Sequence, residues 1–325
     1  MNTLHVDIGL ARYSDWAFTS AVVALVVALL LLAFELAYVG ARRADTRERV
    51  LAGAVPVDST APGIVAEAGQ RPFDERVGRA GLAVTYLGIG LLLACIVLRG
   101  LATMRVPWGN MYEFINLTCM CALLAGAFVL RRPQYRPLWV FLLLPVLILL
   151  TVSGRWLYTN AAPVMPALQS YWLPIHVSVV SLGSGVFLVA GIASILFLLR
   201  TSRFGDPATP GALARIVQRF PDAQTLDRIA YRTTIFAFPV FGFGVIFGAI
   251  WAEEAWGRYW GWDPKETVSF IAWVLYAAYL HARSTAGWRD RKAAWINVVG
   301  FVAMVFNLFF VNLVTVGLHS YAGVG

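Results

Sequence analysis

Long apolar runs separated by short polar stretches dominate the chain, and the lengths of those runs predict its elements. Eight runs, at 16–39, 80–99, 112–130, 137–152, 174–199, 232–250, 267–283 and 294–317, approach the length of a bilayer span, since a hydrocarbon core of ~30 Å takes about 20 apolar helical residues. The run at 137–152 is short for the task. The pattern predicts an all-α, polytopic membrane bundle of about eight transmembrane helices. Before the first run, MNTLHVDIGLARYSD carries two acids against one arginine, and no small-residue cleavage site interrupts the run to Val39. That run is therefore expected to be a retained helix and not a signal peptide.

The polar stretches suggest two parts. Residues 53–72, GAVPVDSTAPGIVAEAGQRP, are rich in Pro, Gly and Ala and read as a flexible inner loop. It separates an N-terminal part, 1–79, from a membrane domain, 80–325. Within 201–229, Leu213, Ile216 and Val217 suit a short helix lying at the membrane surface.

Composition sharpens this picture. Of 325 residues, 59% are hydrophobic and only 14% charged, with a mean hydropathy of +0.69, whereas soluble domains carry roughly 25% charged residues. Lys and Arg concentrate in cytoplasmic loops. With the N-terminus outside, the inner stretches 40–79, 131–136, 200–232 and 283–292 hold 20 of the 26 cations. Both termini are then external. The net charge of +8 is a topology signal that needs no nucleic acid, and it favours contact with anionic lipid. Cys95, Cys119 and Cys121 lie inside predicted spans and form no CxxC or CxxCH, so they read as buried thiols.

One polar stretch does not look like a simple loop. Residues 256–267 read WGRYWGWDPKET. Asp263, Pro264 and Glu266 have the grammar of a helix start. Trp251, Trp256, Tyr259, Trp260 and Trp262 crowd the same region, more than an interfacial aromatic belt requires. Indole faces stack on planar π-systems, and Arg258 and Lys265 suit carboxylates on such a ligand. A platform for a large planar anion, an aromatic belt and a peptide groove all fit these residues.

The histidines narrow the choice. At ~1.5 Å per residue, His176 lies about 36 Å from Arg200, and His319 about 40 Å from Lys292 if helix continues throughout. Both then sit at the outer face, level with the tryptophans. Two imidazoles beside an aromatic shelf with cations nearby make the constellation of a six-coordinate haem. His281 is ~25 Å down the next helix from Pro264, near the inner leaflet, and reads as an interface residue or as a ligand whose partner comes from another chain. His5 reads as surface. Asn312, Thr315 and His319 share a helical face that is expected to turn inward. Glu35 is expected to snorkel to the inner interface, and Glu113 to orient a ligand or cap its helix.

WGRYWGWDPKET resembles the WWD motif of the haem-handling membrane proteins of cytochrome c maturation. The chain is similar to the CcsA/ResC-type subunit, labelled CcsB in some bacteria, of the system II cytochrome c synthase. The resemblance runs from PWGNMYEF at 107–114 through SYWLPIHVSVVSLG around His176 and YAAYLHAR around His281 to NLVTVGLHSY around His319. Helix 1 and the Pro/Gly-rich loop carry none of it. It implies that His176 and His319 ligate haem iron beside an external WWD loop at 251–266. It also implies that His281 meets haem entering from the cytoplasmic side, with a second ligand from a ResB-type companion subunit. The implied haem-contacting set is His176, His319 and His281 at the iron, with Trp251, Trp256, Trp260, Trp262, Asp263, Arg258 and Lys265 around it.

The expected function is to bind haem b non-covalently, move it to the outer face of a bacterial cytoplasmic membrane and present its vinyl groups to CxxCH of an apocytochrome c. A thioredoxin-like thiol reductant is a further implied partner, and no residue stands out as a general acid. Three alternatives remain: a haem exporter without synthase chemistry, a b-type electron-transfer subunit, and a proton-coupled carrier using Glu35 and Glu113.

Overall fold

The computed structural model describes residues 6–51, 72–164, 166–312, 314–315 and 317–319. His5 and nearly all of the Pro/Gly-rich stretch lie outside the described residues. Among the described residues nine α-helices follow in order: α1 (Ile8–Leu51), α2 (Phe73–Thr103), α3 (Met111–Val129), α4 (Leu138–Trp156), α5 (Trp172–Arg200), α6 (Ala212–Val217), α7 (Ala223–Trp256), α8 (Pro264–Ser284) and α9 (Arg291–Phe306). A π-helical turn, Asn307–Val311, continues α9. Among the described residues seven helices are long and apolar enough to cross a membrane, which leaves out α6 and α8. The span expected at 267–283 does form α8, but its Trp and Tyr residues and a last turn carrying His281 and Arg283 reduce its hydropathy. At 21 residues it is ~31 Å long. The chain is thus a polytopic helical membrane bundle.

Helix ends follow local chemistry. Asn110 caps α3 by accepting from the Glu113 N–H, and Asp222 caps α7 by accepting from the Thr225 N–H. Gly257 ends α7 at φ +69°, a left-handed cap that glycine adopts at little cost. The surface helix expected in 201–229 appears as α6, with Val217 buried and Leu213 and Ile216 exposed.

The most buried of the spans is α5, and small residues let its neighbours approach. A Cβ at Gly183 would meet the backbone of Phe241 in α7, one at Gly185 the backbone of α3, and one at Gly191 the ring of Phe301 in α9. Next to α9, α8 runs antiparallel: Asn307 donates to Ser269 at 2.7 Å, and Tyr276 packs on Gly300. Large apolar side chains such as Leu30, Leu93, Ile148, Phe243 and Val302 point outward, as lipid-facing positions do.

Helix 1 shares the main core, where Ala21, Leu25, Ala28 and Leu32 are fully buried with residues of α2 to α5. Glu35 does not snorkel. It is buried and receives two hydrogen bonds from Arg136, one of them from Nε at 2.9 Å. Gly78 makes room for it, since a Cβ there would collide with the carboxylate. A guanidinium fork matches a carboxylate in two places, so the ion pair takes the role that water would have had.

Candidate functional site

The start of α5, the end of α7, the start of α8 and the stretch after α9 meet at one end of the bundle. His176 lies in the second turn of α5. Its position is set by α7, where Gly244 and Gly248 fall four residues apart. Gly244 takes Val180 against its backbone, and a Cβ at Gly248 would stand 2.6 Å from the His176 ring. This close approach lets His176 Nδ1 donate to the Gly244 carbonyl at 2.8 Å. The bond leaves the lone pair on Nε2, the nitrogen available to a metal.

His319 reaches the same place by another route. Regular helix stops near Asn312, short of the span expected to reach 317, so Asn312, Thr315 and His319 do not share one helical face. The chain instead turns, and Asp263 holds it. One oxygen of Asp263 accepts from the Leu318 N–H at 2.8 Å, and the other accepts from His319 Nδ1 at 2.8 Å. Gly317 permits the contact, because a Cβ there would lie 2.6 Å from the Asp263 carboxylate. The same Asp263 caps α8 in a capping box with Glu266. The helix-start grammar read in the sequence is real, and it carries this second role. Burial depresses the His319 pKa below the usual histidine value, an effect the Asp263 hydrogen bond only partly offsets. Its imidazole is therefore neutral at neutral pH, with the lone pair on Nε2. For Asp263, burial raises the pKa, but the donors His319, Leu318 and Lys265 outweigh it and hold the group below the usual carboxylate value.

Both imidazoles line a cavity open to solvent, with about 970 Å³ of empty space including its mouth, lined among others by Phe114, His176, Tyr259, Trp260, Lys265, Asn312 and His319. A second space of about 600 Å³ shares His176, His319, Lys265 and Asn312 with it and adds Trp108 and Trp251. Trp251, 1% exposed, forms a wall common to both imidazoles. Its ring centroid is 6.0 Å from that of His176 and 5.8 Å from that of His319. Trp256 packs 5.0 Å from His319.

Other members of the expected set lie elsewhere. Trp262 is 69% exposed, adopts φ +58°, and lines neither cavity. Arg258 is exposed, with its guanidinium folded over Gly261. His281 is exposed at the opposite end of α8, ~27 Å from Asp263 along the helix. Glu113 lines neither cavity. It is buried, takes hydrogen bonds from Arg99 at 3.1 Å and Arg105 at 2.9 Å, and accepts from the Gly109 N–H at 2.8 Å. That network fixes the turn carrying Trp108, whose indole N–H donates to Ser178 on α5 at 2.8 Å. Trp108, Phe114 and the Gly244–Gly248 pair were not expected at the site. The glycine spacing in GVIFG was the signal that could have found α7's role.

The sequence profile described as "Cytochrome C assembly protein" matches residues 108–319, a stretch that contains both imidazoles, the tryptophan-rich loop and His281. Among curated relatives, the cytochrome c biogenesis protein CcsA of Gloeobacter violaceus is 34% identical over 77% of this chain and 87% of its own length. CcsA of Thermosynechococcus vestitus is 36% identical over 78% of this chain and 89% of its own. Among solved structures, the cytochrome c heme lyase CcmF superposes with a TM-score of 0.61 at 17% identity, over 96% of this chain and 48% of CcmF. The present chain thus spans about half the length of that protein, and the likeness is one of fold. With a family profile over well above half of its length and two CcsA relatives aligned along most of theirs, the chain belongs to the cytochrome c assembly family as a CcsA-type cytochrome c biogenesis protein.

Proposed function

We propose that this protein binds haem b between His176 and His319 and presents it for covalent attachment to apocytochrome c. The observation that carries the reading is the pair itself. Two imidazoles from separate parts of the chain line one cavity, and each has its Nδ1 committed to a fixed acceptor. Such outer hydrogen bonds orient ligating histidines and raise their basicity. Among the described residues no group of three or more His, Cys, Asp or Glu converges to hold a metal ion. Two axial nitrogens suffice for a metal whose equatorial positions are already filled, as in a porphyrin.

The chain's residues then act by orientation. His176 and His319 hold the iron, Trp251 and Trp260 wall the ring, Trp256 backs His319, and the exposed Trp262, Tyr259 and Arg258 offer a rim to an incoming polypeptide. Each cysteine thiol of CxxCH adds across one vinyl group: a sulfur–carbon bond forms, the proton passes to the neighbouring carbon, and no net electrons are transferred. Holding both partners in place supplies the acceleration. A thiol reductant of the thioredoxin type keeps those cysteines reduced.

The cation asymmetry supports a multi-pass protein of a bacterial cytoplasmic membrane with this end external. His281 is the inner contact point, and its exposure suits completion of a ligand pair by a ResB-type companion subunit. The experiment combines the purified two-subunit complex with haem and a CxxCH peptide. Thioether product, seen as a pyridine haemochrome shifted to the c-type position, is the expected result. Haem bound and released without product would favour a haem exporter.

A further inference from the structure

Lys265 is a cation in no direct ion pair among the described residues, with Asp263 the charge that acts on it. Its ammonium reaches into both cavities beside the two imidazoles. Its contacts are the Asn312 Oδ1 at 2.5 Å and the face of Phe114 at 5.4 Å. Among the described residues no carboxylate lies within ion-pair distance of it. An ammonium removed from water needs a compensating charge; Asp263 acts on it only from beyond ion-pair distance, and Glu266, the carboxylate in the cavity lining, is engaged by the N–H groups of Gly261 and Asp263, which leaves the closest compensation to an anionic ligand.

Asn312 is built to aim it. The π-helical turn Asn307–Val311 ends at this residue, and its amide donates to the carbonyls of Asn307 at 3.2 Å and Leu308 at 2.7 Å. Those donors fix the flip of the amide, so that Oδ1 faces Lys265. Insertions of this kind recur at functional sites. Arg258, the other cation of the loop, is exposed and lines neither cavity.

We infer that Lys265, positioned by Asn312, is the carboxylate-binding residue of the cavity and anchors a propionate of the bound porphyrin. The inference rests on the haem reading above and deepens it. In haem b both propionates lie on the edge across the ring from the vinyl groups. A propionate held at Lys265 therefore turns the vinyl edge away from it, and one side chain selects which edge of a nearly symmetric disc is presented for reaction.

The test uses the full chain purified without haem and titrated with haemin and with haemin dimethyl ester, whose propionates carry no charge. Wild type is expected to prefer haemin by on the order of tenfold or more, the range of a charge-assisted hydrogen bond. Lys265→Met is expected to remove that preference while keeping the low-spin spectrum of two axial histidines. The helix cap survives this change, because Asp263 receives the Lys265 backbone N–H and not its ammonium. Lys265→Arg is expected to restore the preference. Asn312→Asp, which gives the ammonium an internal partner, is expected to abolish it. An undiminished preference in Lys265→Met, or its loss in Arg258→Met instead, would overturn the assignment. Absence of a low-spin complex in wild type would instead overturn the haem reading on which it rests.

Discussion

Asp263 shows how much one side chain can fix. It caps α8, receives the Leu318 N–H and holds His319 in the tautomer that presents Nε2. Asp263→Asn keeps the shape and can still cap a helix, but it removes the charge behind the imidazole. Loss of such an outer partner costs about 10–100-fold in affinity at metal centres. Haem titration of the variant is expected to show a loss of that size, together with a shifted reduction potential. The pH dependence has a definite sign. His319 has a folded-state pKa below its unfolded value, so acidification through the ordinary histidine range, about 6.5, protonates the unfolded chain first. Its contribution to stability falls as pH drops below that value and is constant above it. Haem affinity is expected to decline over the same interval, and a titration from pH 8 to 5 checks both.

At the scale of elements, the site depends on how closely α5 and α7 pack. Gly248→Ala places a methyl group 2.6 Å from the His176 ring. The bundle is expected to remain folded, at a cost of ~1–3 kcal/mol for overpacking, while the imidazole is pushed from its bond to Gly244. Size-exclusion chromatography with a haem absorption spectrum separates the two effects: a monodisperse protein with weakened low-spin absorption is expected. Much of this level was legible in the sequence, because caps and spans are local. The Asp263–Glu266 box is written in four consecutive residues, and run lengths located the seven apolar helices. What escaped was long-range. Nothing near Glu35 announces Arg136, 101 residues away, and nothing near His176 names the Gly244 carbonyl. The π-helical turn and the outward set of Trp262 are backbone choices made by packing, to which hydrophobic periodicity is blind. The extension of helix to 317 failed for that reason.

Across the whole molecule, the two ends of the bundle have different tasks. The end with the imidazoles is cavity and aromatic wall, braced by Glu113 with Arg99 and Arg105, while the other has no such cavity among the described residues and is tied by ion pairs such as Glu35–Arg136 and Arg283–Asp227, the latter at 2.8 Å. Removing one partner of a buried pair strands the other charge, at a cost of about 3 kcal/mol or more. Glu35→Ala is therefore expected to lower the denaturation midpoint in detergent without altering the haem spectrum of the protein that remains folded. That outcome would separate the scaffold from the site. The central claim, that His176 and His319 close on a single iron, is tested most directly by the absorption spectrum of the purified protein, oxidised and reduced, in wild type and in His176→Ala and His319→Ala. A low-spin b-type spectrum in wild type is expected, lost in each variant and partly regained on adding imidazole. An unchanged low-spin spectrum in the double alanine variant would contradict the account.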